Sequence, residues 1–358
     1  MLLTRGMSVP QGDASIPVVV VAGASGVLGA QVCRALRVSV PNVQVIAGDH
    51  RSERLEATRA RTLADEVVQL DVDSPAMLAR AMDLADAVVV CVPGKTTAAM
   101  EAALSTGTHL ISVDPWEEPA RWIRGLDEDA RQAECALVSM GGLFPGLSGL
   151  LVRSLAVGLT SVTSAELLLT QSANADVGRA GTIDMLRMVA TPIPTPEDPI
   201  RGFARKHERR RSHRLVQYPE ASLVSEALDG AQVGYYTAWD SAALNRAIAV
   251  AARLRVLGPL APALARLKRH RADQPEKAQL TVEVTGATDN QVMTRSAVVE
   301  VRSDYAGTAT SAAALTRLAL DGHIRGAGVP MDLVTLEQVT PHLDPAALTL
   351  TETPTRTR

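Results

Sequence analysis

The chain has 358 residues and a formal net charge of −3, with 46% hydrophobic residues. That length exceeds one ordinary small domain and suits two, and the apolar content is enough for a sizeable core. The near-neutral balance excludes a global field that would recruit nucleic acid or an anionic membrane surface, and no apolar run reaches the roughly 20 residues a membrane helix needs. Cys33, Cys91 and Cys135 lie far apart in apolar patterns. They read as buried reduced thiols of a cytoplasmic protein. No Cys/His cluster has metal-ligand spacing, so no metal is expected. Met1 to Ile16 lack the charged-then-apolar pattern of a secretory signal and read as a disordered lead-in, with Met7 as an alternative start.

Val18–Ala22 reads as a strand that stops at Gly23-Ala24-Ser25-Gly26-Val27-Leu28-Gly29 and opens at once into a helix to about Val38. Glycines at G-x-x-G-x-x-G spacing let the backbone turn tightly and let a pyrophosphate approach without meeting a Cβ. The helix start points free N–H groups and its positive dipole end at those phosphates. Val43–Ala47 is a second strand, ending at Gly48-Asp49-His50-Arg51, and Glu53–Ala64 is helical. Val67–Leu70 is a short strand before Asp71-Val72-Asp73. Ser74-Pro75 then caps a helix to about Ala85. Ala87–Val92 is a continuous apolar run, as a strand buried on both faces should be. Pro93-Gly94-Lys95 breaks it before a helix from Thr96. Leu110–Val113, closed by Asp114-Pro115, and Ala136–Met140 complete six strands.

Strands alternating with helices at this spacing imply a Rossmann-type, doubly wound parallel α/β sheet. Ligands of such sheets lie outside the carboxyl ends of the strands. Those ends supply the candidate cofactor-binding residues: Gly23, Ala24, Ser25, Gly26, Val27, Leu28, Gly29, Asp49, His50, Arg51, Asp71, Val72, Cys91, Val92 and Pro93. Asp49 stands where an acid can accept hydrogen bonds from the adenosine ribose and repel a 2′-phosphate, which leans towards NAD. Arg51 could instead clamp that phosphate, so NADP stays open. The candidate catalytic residues are Lys95 and Asp114. A desolvated ammonium at Lys95 could act as general acid or polarise a carbonyl, and Asp114 could orient or exchange protons from the next strand end. His109 precedes its strand and reads as structural.

From about Ser161 the pattern changes to an α+β domain with a mainly antiparallel sheet. Val162–Leu169 reads as a strand, Thr182–Ala190 as a helix and Thr191–Pro199 as irregular. Leu280–Val284 and Ala297–Ser303 read as paired strands joined near Gly286–Asn290. Arg201 to Arg214 is a basic loop, readable as a solvated surface, as guanidinium forks for an anionic substrate, or as a nucleic-acid site. The last is disfavoured because the rest of the chain is not basic. Trp116, Trp122 and Phe144 follow strand ends in a chain with few aromatics and read either as core packing or as the wall of an apolar pocket, as do Tyr235, Tyr236 and Trp239. No Tyr-x-x-x-Lys pair and no Gly-x-Ser-x-Gly appears.

The chain resembles the saccharopine dehydrogenase-like NAD(P)-dependent oxidoreductases. The resemblance rests on Val-Ala-Gly-Ala-Ser-Gly-Val-Leu-Gly at the first turn, Ile46-Ala47-Gly48-Asp49, Leu70-Asp71-Val72-Asp73, Ala85 to Val92, Gly107 to Asp114 and Gly141-Gly142-Leu143-Phe144-Pro145-Gly146-Leu147-Ser148. Later it takes in Tyr305 to Thr310, Asp321 to Ile324 and Ala327 to Pro330. It covers both ends of the chain and not the middle. Asp49 departs from it, since relatives often carry Arg there for NADP. The resemblance implies hydride transfer between NAD(P) and an imine, carbonyl or activated alkene of a small metabolite, and a cytoplasmic homodimer. It also implies a chain that returns to the first domain near Thr310–Leu320. The expected organisation is a lead-in at 1–16, a dinucleotide-binding domain at 17–150 and a substrate and dimerisation domain at 151–305. Return helices at 306–345 and a disordered tail at 346–358 follow. Two other readings remain open from the residues: a domain that retains a dinucleotide during a non-redox cyclisation or isomerisation, and a non-catalytic NAD(P)-sensing protein.

Overall fold

The apolar, β-branched runs of the first half become parallel strands in the computed structural model. It describes residues 16–195, 205–208, 211–289 and 291–357. The lead-in at 1–15 lies outside them. In chain order the strands are β1 (Val18–Ala22), β2 (Gln44–Asp49), β3 (Glu66–Gln69), β4 (Ala87–Val90), β5 (His109–Ser112), β6 (Ala136–Val138) and β7 (Ser161–Gln171). There follow β8 (Arg205–Glu208), β9 (Arg211–Val216), β10 (Gln232–Trp239), β11 (Ala278–Thr288), β12 (Gln291–Val301), β13 (Gly326–Gly328) and β14 (Leu348–Thr357). The first half contributes the helices α1 (Val27–Ser39), α2 (Leu55–Thr62), α3 (Pro75–Leu84), α4 (Thr96–Thr106), α5 (Glu117–Arg124), α6 (Asp127–Gln132) and α7 (Leu147–Ala156). The second contributes α8 (Arg179–Ala190), α9 (Glu220–Ala227), α10 (Ala242–Arg253), α11 (Leu257–Leu267) and α12 (Asp304–Leu320).

The first sheet runs β3-β2-β1-β4-β5-β6-β13, and every pairing is parallel. β1 and β4 are central and buried on both faces, as helix-covered parallel strands must be. The strand order reverses between them, which opens a crevice at their carboxyl ends. Ser74 caps α3 as its sequence predicts, its hydroxyl accepting from the Met77 N–H at 3.4 Å with Pro75 in the first turn. The seventh strand is additional to the six expected. Its Ala327 N–H is held at 2.9 Å by the Asp127 carboxylate, and it pairs with β6.

The second sheet runs β14-β12-β11-β7-β10-β9-β8. It is antiparallel apart from the β7–β10 pair. α12 passes between the sheets, packed on α1, β4 and β5 on one side and on β12 and β14 on the other. Its run of Ala, Gly, Ser and Thr keeps it thin, and from Ala306 to Thr316 it is wholly buried. A single apolar cluster therefore extends from β1 through α7 and α12 to β7, β11 and β12, while a second fills the other face of the first sheet.

Two expectations are corrected. Most of the tail expected to be disordered at 346–358 is a strand: Leu348–Thr357 pairs with β12 at the sheet edge. The basic stretch Arg201 to Arg214 is not one loop. Its described parts form the β8–β9 pair, whereas 201–204 and 209–210 lie outside the described residues. Lys206 is ion-paired with Glu166 and Glu283, His213 is buried against the Thr170 hydroxyl, and the Arg214 guanidinium donates to the Thr191 carbonyl.

Candidate active site

A cleft of about 770 Å³ lies between the carboxyl ends of the first sheet and the helices of the second half. Its floor is the glycine turn. The Gly23 and Ala24 N–H groups both donate to the Gly48 carbonyl at 3.0 Å, which pins the turn to the end of β2. Gly23 has φ +80°, and a Cβ there would lie 2.8 Å from Val92 Cγ2. A Cβ on Gly29 would collide with the Gly23 carbonyl, so α1 can start this close to β1 only on a glycine. Gly26 caps α1 without a side chain, and the amides of Val27, Leu28 and Gly29, which line the cleft, have no acceptor among the described residues. This is a cradle of backbone donors at a positive helix end, and it fits a pyrophosphate.

The sequence-predicted cofactor residues divide in two. Gly26, Val27, Leu28, Gly29, Cys91, Val92 and Pro93 line the cleft, with Gly23, Ala24 and Ser25 forming the turn beneath. Asp49, His50, Arg51, Asp71 and Val72 stand at the ends of β2 and β3, off that lining. The Asp49 carboxylate is 2% exposed and accepts from the Arg51 N–H at 2.9 Å. Arg61 of α2, which sequence reasoning missed, reaches the turn itself and donates to the Ser25 carbonyl. Cys91 is only half-buried, and burial pushes its thiol up, away from the thiolate.

The two candidate catalytic residues also part company. Lys95 makes a 2.6 Å ion pair with Asp73 at the rim and does not line the cleft. Asp114 does line it. Its Oδ2 accepts from the Gly94 N–H at 2.7 Å and the Thr96 hydroxyl at 2.9 Å, which ties the loop after β4 to the end of β5. Burial raises the carboxyl above its ordinary range, against the Thr96 hydroxyl and the Gly94 and Trp116 N–H groups, which favour the carboxylate. His109 lies away from the cleft and accepts from the Ala136 N–H at 3.0 Å; burial pushes it down to about 4.

The opposite wall comes from residues the sequence did not single out for chemistry. Asp304 and Tyr305, at the start of α12, line the cleft. Burial pushes the Asp304 carboxyl up to about 7, and its Oδ1 has no hydrogen-bond partner among the described residues. A carboxyl poised near neutrality in a cleft can take or give a proton at working pH. Burial, with Asp304 next, likewise raises the Tyr305 hydroxyl.

Trp116, Phe144 and Trp239 line the cleft, and Trp122, Tyr235 and Tyr236 do not. Phe144 packs on Tyr218 and Tyr235 with ring centroids 4.4 and 5.0 Å away. The Gly141–Ser148 turn that carries Phe144 is fastened by the buried Glu220. One of its oxygens accepts from the Gly146 and Gly149 N–H groups at 2.9 and 3.2 Å. The other accepts from the Ser148 and Tyr235 hydroxyls at 2.5 and 2.6 Å. The Ser311 hydroxyl donates to the Gly142 carbonyl at 3.0 Å, which holds α12 to the same turn.

Among the described residues no group of three His, Cys, Asp or Glu is placed to hold a metal, and no helix is long and apolar enough to cross a membrane. Residues 19–111 match the NAD dependent epimerase/dehydratase family. No curated protein is detectably similar in sequence. Apo saccharopine dehydrogenase (L-Glu forming) from Saccharomyces cerevisiae superposes with a TM-score of 0.65 at 13% identity, over 94% of this chain and 100% of that one. The protein has a saccharopine dehydrogenase-like fold. The homospermidine synthase of Legionella pneumophila, solved with NAD, shares it at TM-score 0.63 and 12% identity over 94% of this chain and 92% of that one. DAP dehydrogenase from C. glutamicum, solved with DAP, gives 0.50 and 16% over 91% and 96%.

Proposed function

We propose that the protein is an NAD(P)-dependent oxidoreductase acting on an imine, carbonyl or activated alkene of a small metabolite. The observation that carries this reading is the continuity of one cleft from the glycine cradle at the start of α1 to Asp304 and Tyr305 at the start of α12. Two structural neighbours, a homospermidine synthase solved with NAD and an engineered D-amino acid dehydrogenase solved with NADP+, support a nicotinamide cofactor. When bound, that cofactor supplies or accepts the hydride.

The chain's own groups do the rest. The Val27, Leu28 and Gly29 amides hold the diphosphate, and Cys91-Val92-Pro93 wall the far end of the cofactor site. Asp114 keeps the loops after β4 and β5 in register through Gly94 and Thr96. Trp116 and Phe144 keep water from the reacting carbon. Asp304 holds the proton that the substrate's nitrogen or oxygen gains or loses as hydride moves. Lys95, committed to Asp73, is left at the rim. The reading favours NAD, because the Asp49 carboxylate at the end of β2 repels a 2′-phosphate. A homodimer goes with it, checked by sedimentation velocity.

The test is to titrate the protein with NADH and NADPH by fluorescence, then follow loss of reduced-cofactor absorbance with candidate imines and enones. Binding and consumption are expected, with NADH preferred and Asp49→Ala shifting preference towards NADPH. Substrate conversion with a retained cofactor whose redox state never changes would move the protein to a non-redox step.

A further inference from the structure

Away from the glycine cradle the cleft changes material. On the side of the second sheet its wall is largely apolar, made by Met185 and Met188 of α8, Leu244 and Ile248 of α10, and Leu264 and Leu267 of α11. Such a surface offers a polar metabolite nothing to bond, and burying a polar group against it is unfavourable. Leu264 and Leu267 line the cleft and are nevertheless 39% and 75% exposed, so the apolar wall runs out to solvent as a lip. Contiguous wet apolar surface of this kind marks a place that something covers.

The charges beside this wall are not neutral in what they select. Arg179 opens α8, Lys268 and Arg269 follow α11, and all three line the cleft. Arg179 and Arg269 have no ion-pair partner among the described residues. The opposing carboxylate on that wall is Asp184, with Asp176 and Glu276 acting on Lys268. The segment bearing Lys268 and Arg269 is clamped by Asn174. The Asn174 side-chain amide donates to the Arg271 and Gln274 carbonyls at 2.9 and 3.1 Å and accepts from the Arg271 N–H at 2.9 Å. Arg179 lies in the first turn of α8, which sits so close to the Tyr305 hydroxyl that a Cβ on Gly181 would strike it. This puts the start of α8, and Arg179 with it, next to the Asp304–Tyr305 end of the cleft.

We propose that this wing binds an amphipathic carboxylic acid, its apolar chain lying between α8, α10 and α11 and its carboxylate held by Arg179, Lys268 and Arg269. The inference rests on the proposed function in taking the same cleft as the substrate site, and it narrows the substrate to an acid with an apolar chain. Guanidinium and ammonium donors suit a carboxylate, and thioether and leucine walls adapt to chains of differing length.

The test uses straight-chain alkanoates from four to twelve carbons as probes of the full protein, by calorimetry, with and without NADH. Affinity should rise about fourfold per added methylene, the fold-change that burying one CH₂ gives, until the wing is full. Leu264→Asn should flatten that dependence. Lys268→Gln should weaken every chain length by a similar factor and leave the slope intact. An affinity independent of chain length overturns the proposal, and so does an equal affinity for the matching uncharged alkanols. A dimer that Leu267→Glu dissociates while alkanoate binding stays unchanged also overturns it, in favour of a second copy of the chain on the lip. Failure of NADH to bind at all counts against the oxidoreductase reading, while the alkanoate series still decides the wing.

Discussion

The two walls of the cleft are made of different material. The first-sheet wall is backbone at its floor, with amides at the start of α1, glycines that exclude a Cβ, and a loop held by Asp114. The second wall is side chain: Asp304 and Tyr305 from α12, methionines from α8, leucines and cations from α10, α11 and the segment after them. A backbone cradle recognises any diphosphate and depends on local spacing alone. A side-chain wall recognises a particular ligand and depends on elements brought together from distant parts of the sequence.

The sharpest way to break the first wall is Gly29→Val. The added side chain would push into the Gly23 carbonyl, with the Ala24 Cα 2.8 Å from the new Cβ, and both are backbone that cannot swing aside. NADH and NADPH binding should be lost by fluorescence titration. The turn should also be strained by about 1–3 kcal/mol, typical of overpacking, read as a lower urea midpoint. Retained cofactor affinity would mean that the cradle is not the phosphate site.

Asp304→Asn tests the second wall. Removing a positioned proton donor or acceptor typically costs about 10²–10⁴ in rate, so kcat should fall by that order and the limb of the pH–rate profile near 7 should vanish. Stability should move the other way. The folded carboxyl keeps its proton up to about 7, whereas the unfolded one loses it near 3.8. Between those values the native state binds more protons, so wild-type stability is full below about 4 and declines as pH rises through 7. The asparagine variant lacks that decline and should gain Tm over wild type at pH 8 but not at pH 4. A normal kcat with an unchanged profile would remove Asp304 from the chemistry.

Glu220→Ala tests the joint between the walls. Four donors would lose their buried acceptor: the Gly146 and Gly149 amides and the Ser148 and Tyr235 hydroxyls. Each orphaned buried donor costs on the order of 1 kcal/mol, so about 4 kcal/mol of destabilisation is expected in urea unfolding. Because the same turn carries Phe144 and meets α12, cofactor binding should survive better than substrate turnover. Equal loss of both would show that the walls are not separable.

The same contrast explains what the sequence disclosed. The glycine turn, the order of strands β1 to β6 and the Ser74 cap are written in contiguous residues, where periodicity and local chemistry suffice. β13 was missed because Gly326-Ala327-Gly328 has no β-branched residue; its place is set by Asp127 and by β6, both distant in the chain. β14 was read as a tail because its threonines and Pro354 look unstructured. As an edge strand it tolerates a proline, and its pairing shifts register between Thr294 and Ser296, opposite that residue. Asp304 carries no motif at all. What distinguishes it is the desolvation that follows once α12 threads between the sheets, and only the assembled fold supplies that. Arg201 to Arg214 misled for the converse reason. Its charge is conspicuous in the sequence, yet Lys206 and Arg214 are spent on internal partners, and the cleft's cations come from Arg179, Lys268 and Arg269.

The smallest expected effect belongs to Lys95, which the sequence singled out. Its partner Asp73 lies 2.6 Å away, with the two side chains 41% and 61% exposed. Water and salt screen such a pair, so it contributes about 0.2–1 kcal/mol at most. Lys95→Gln should therefore shift the urea midpoint barely and leave kcat and KM for both cofactor and substrate where they were. A tenfold fall in kcat at unchanged stability would bring Lys95 into the chemistry. The first wall would then carry a reactive side chain as well as a backbone cradle, and the division of labour across the cleft would fail at its simplest point.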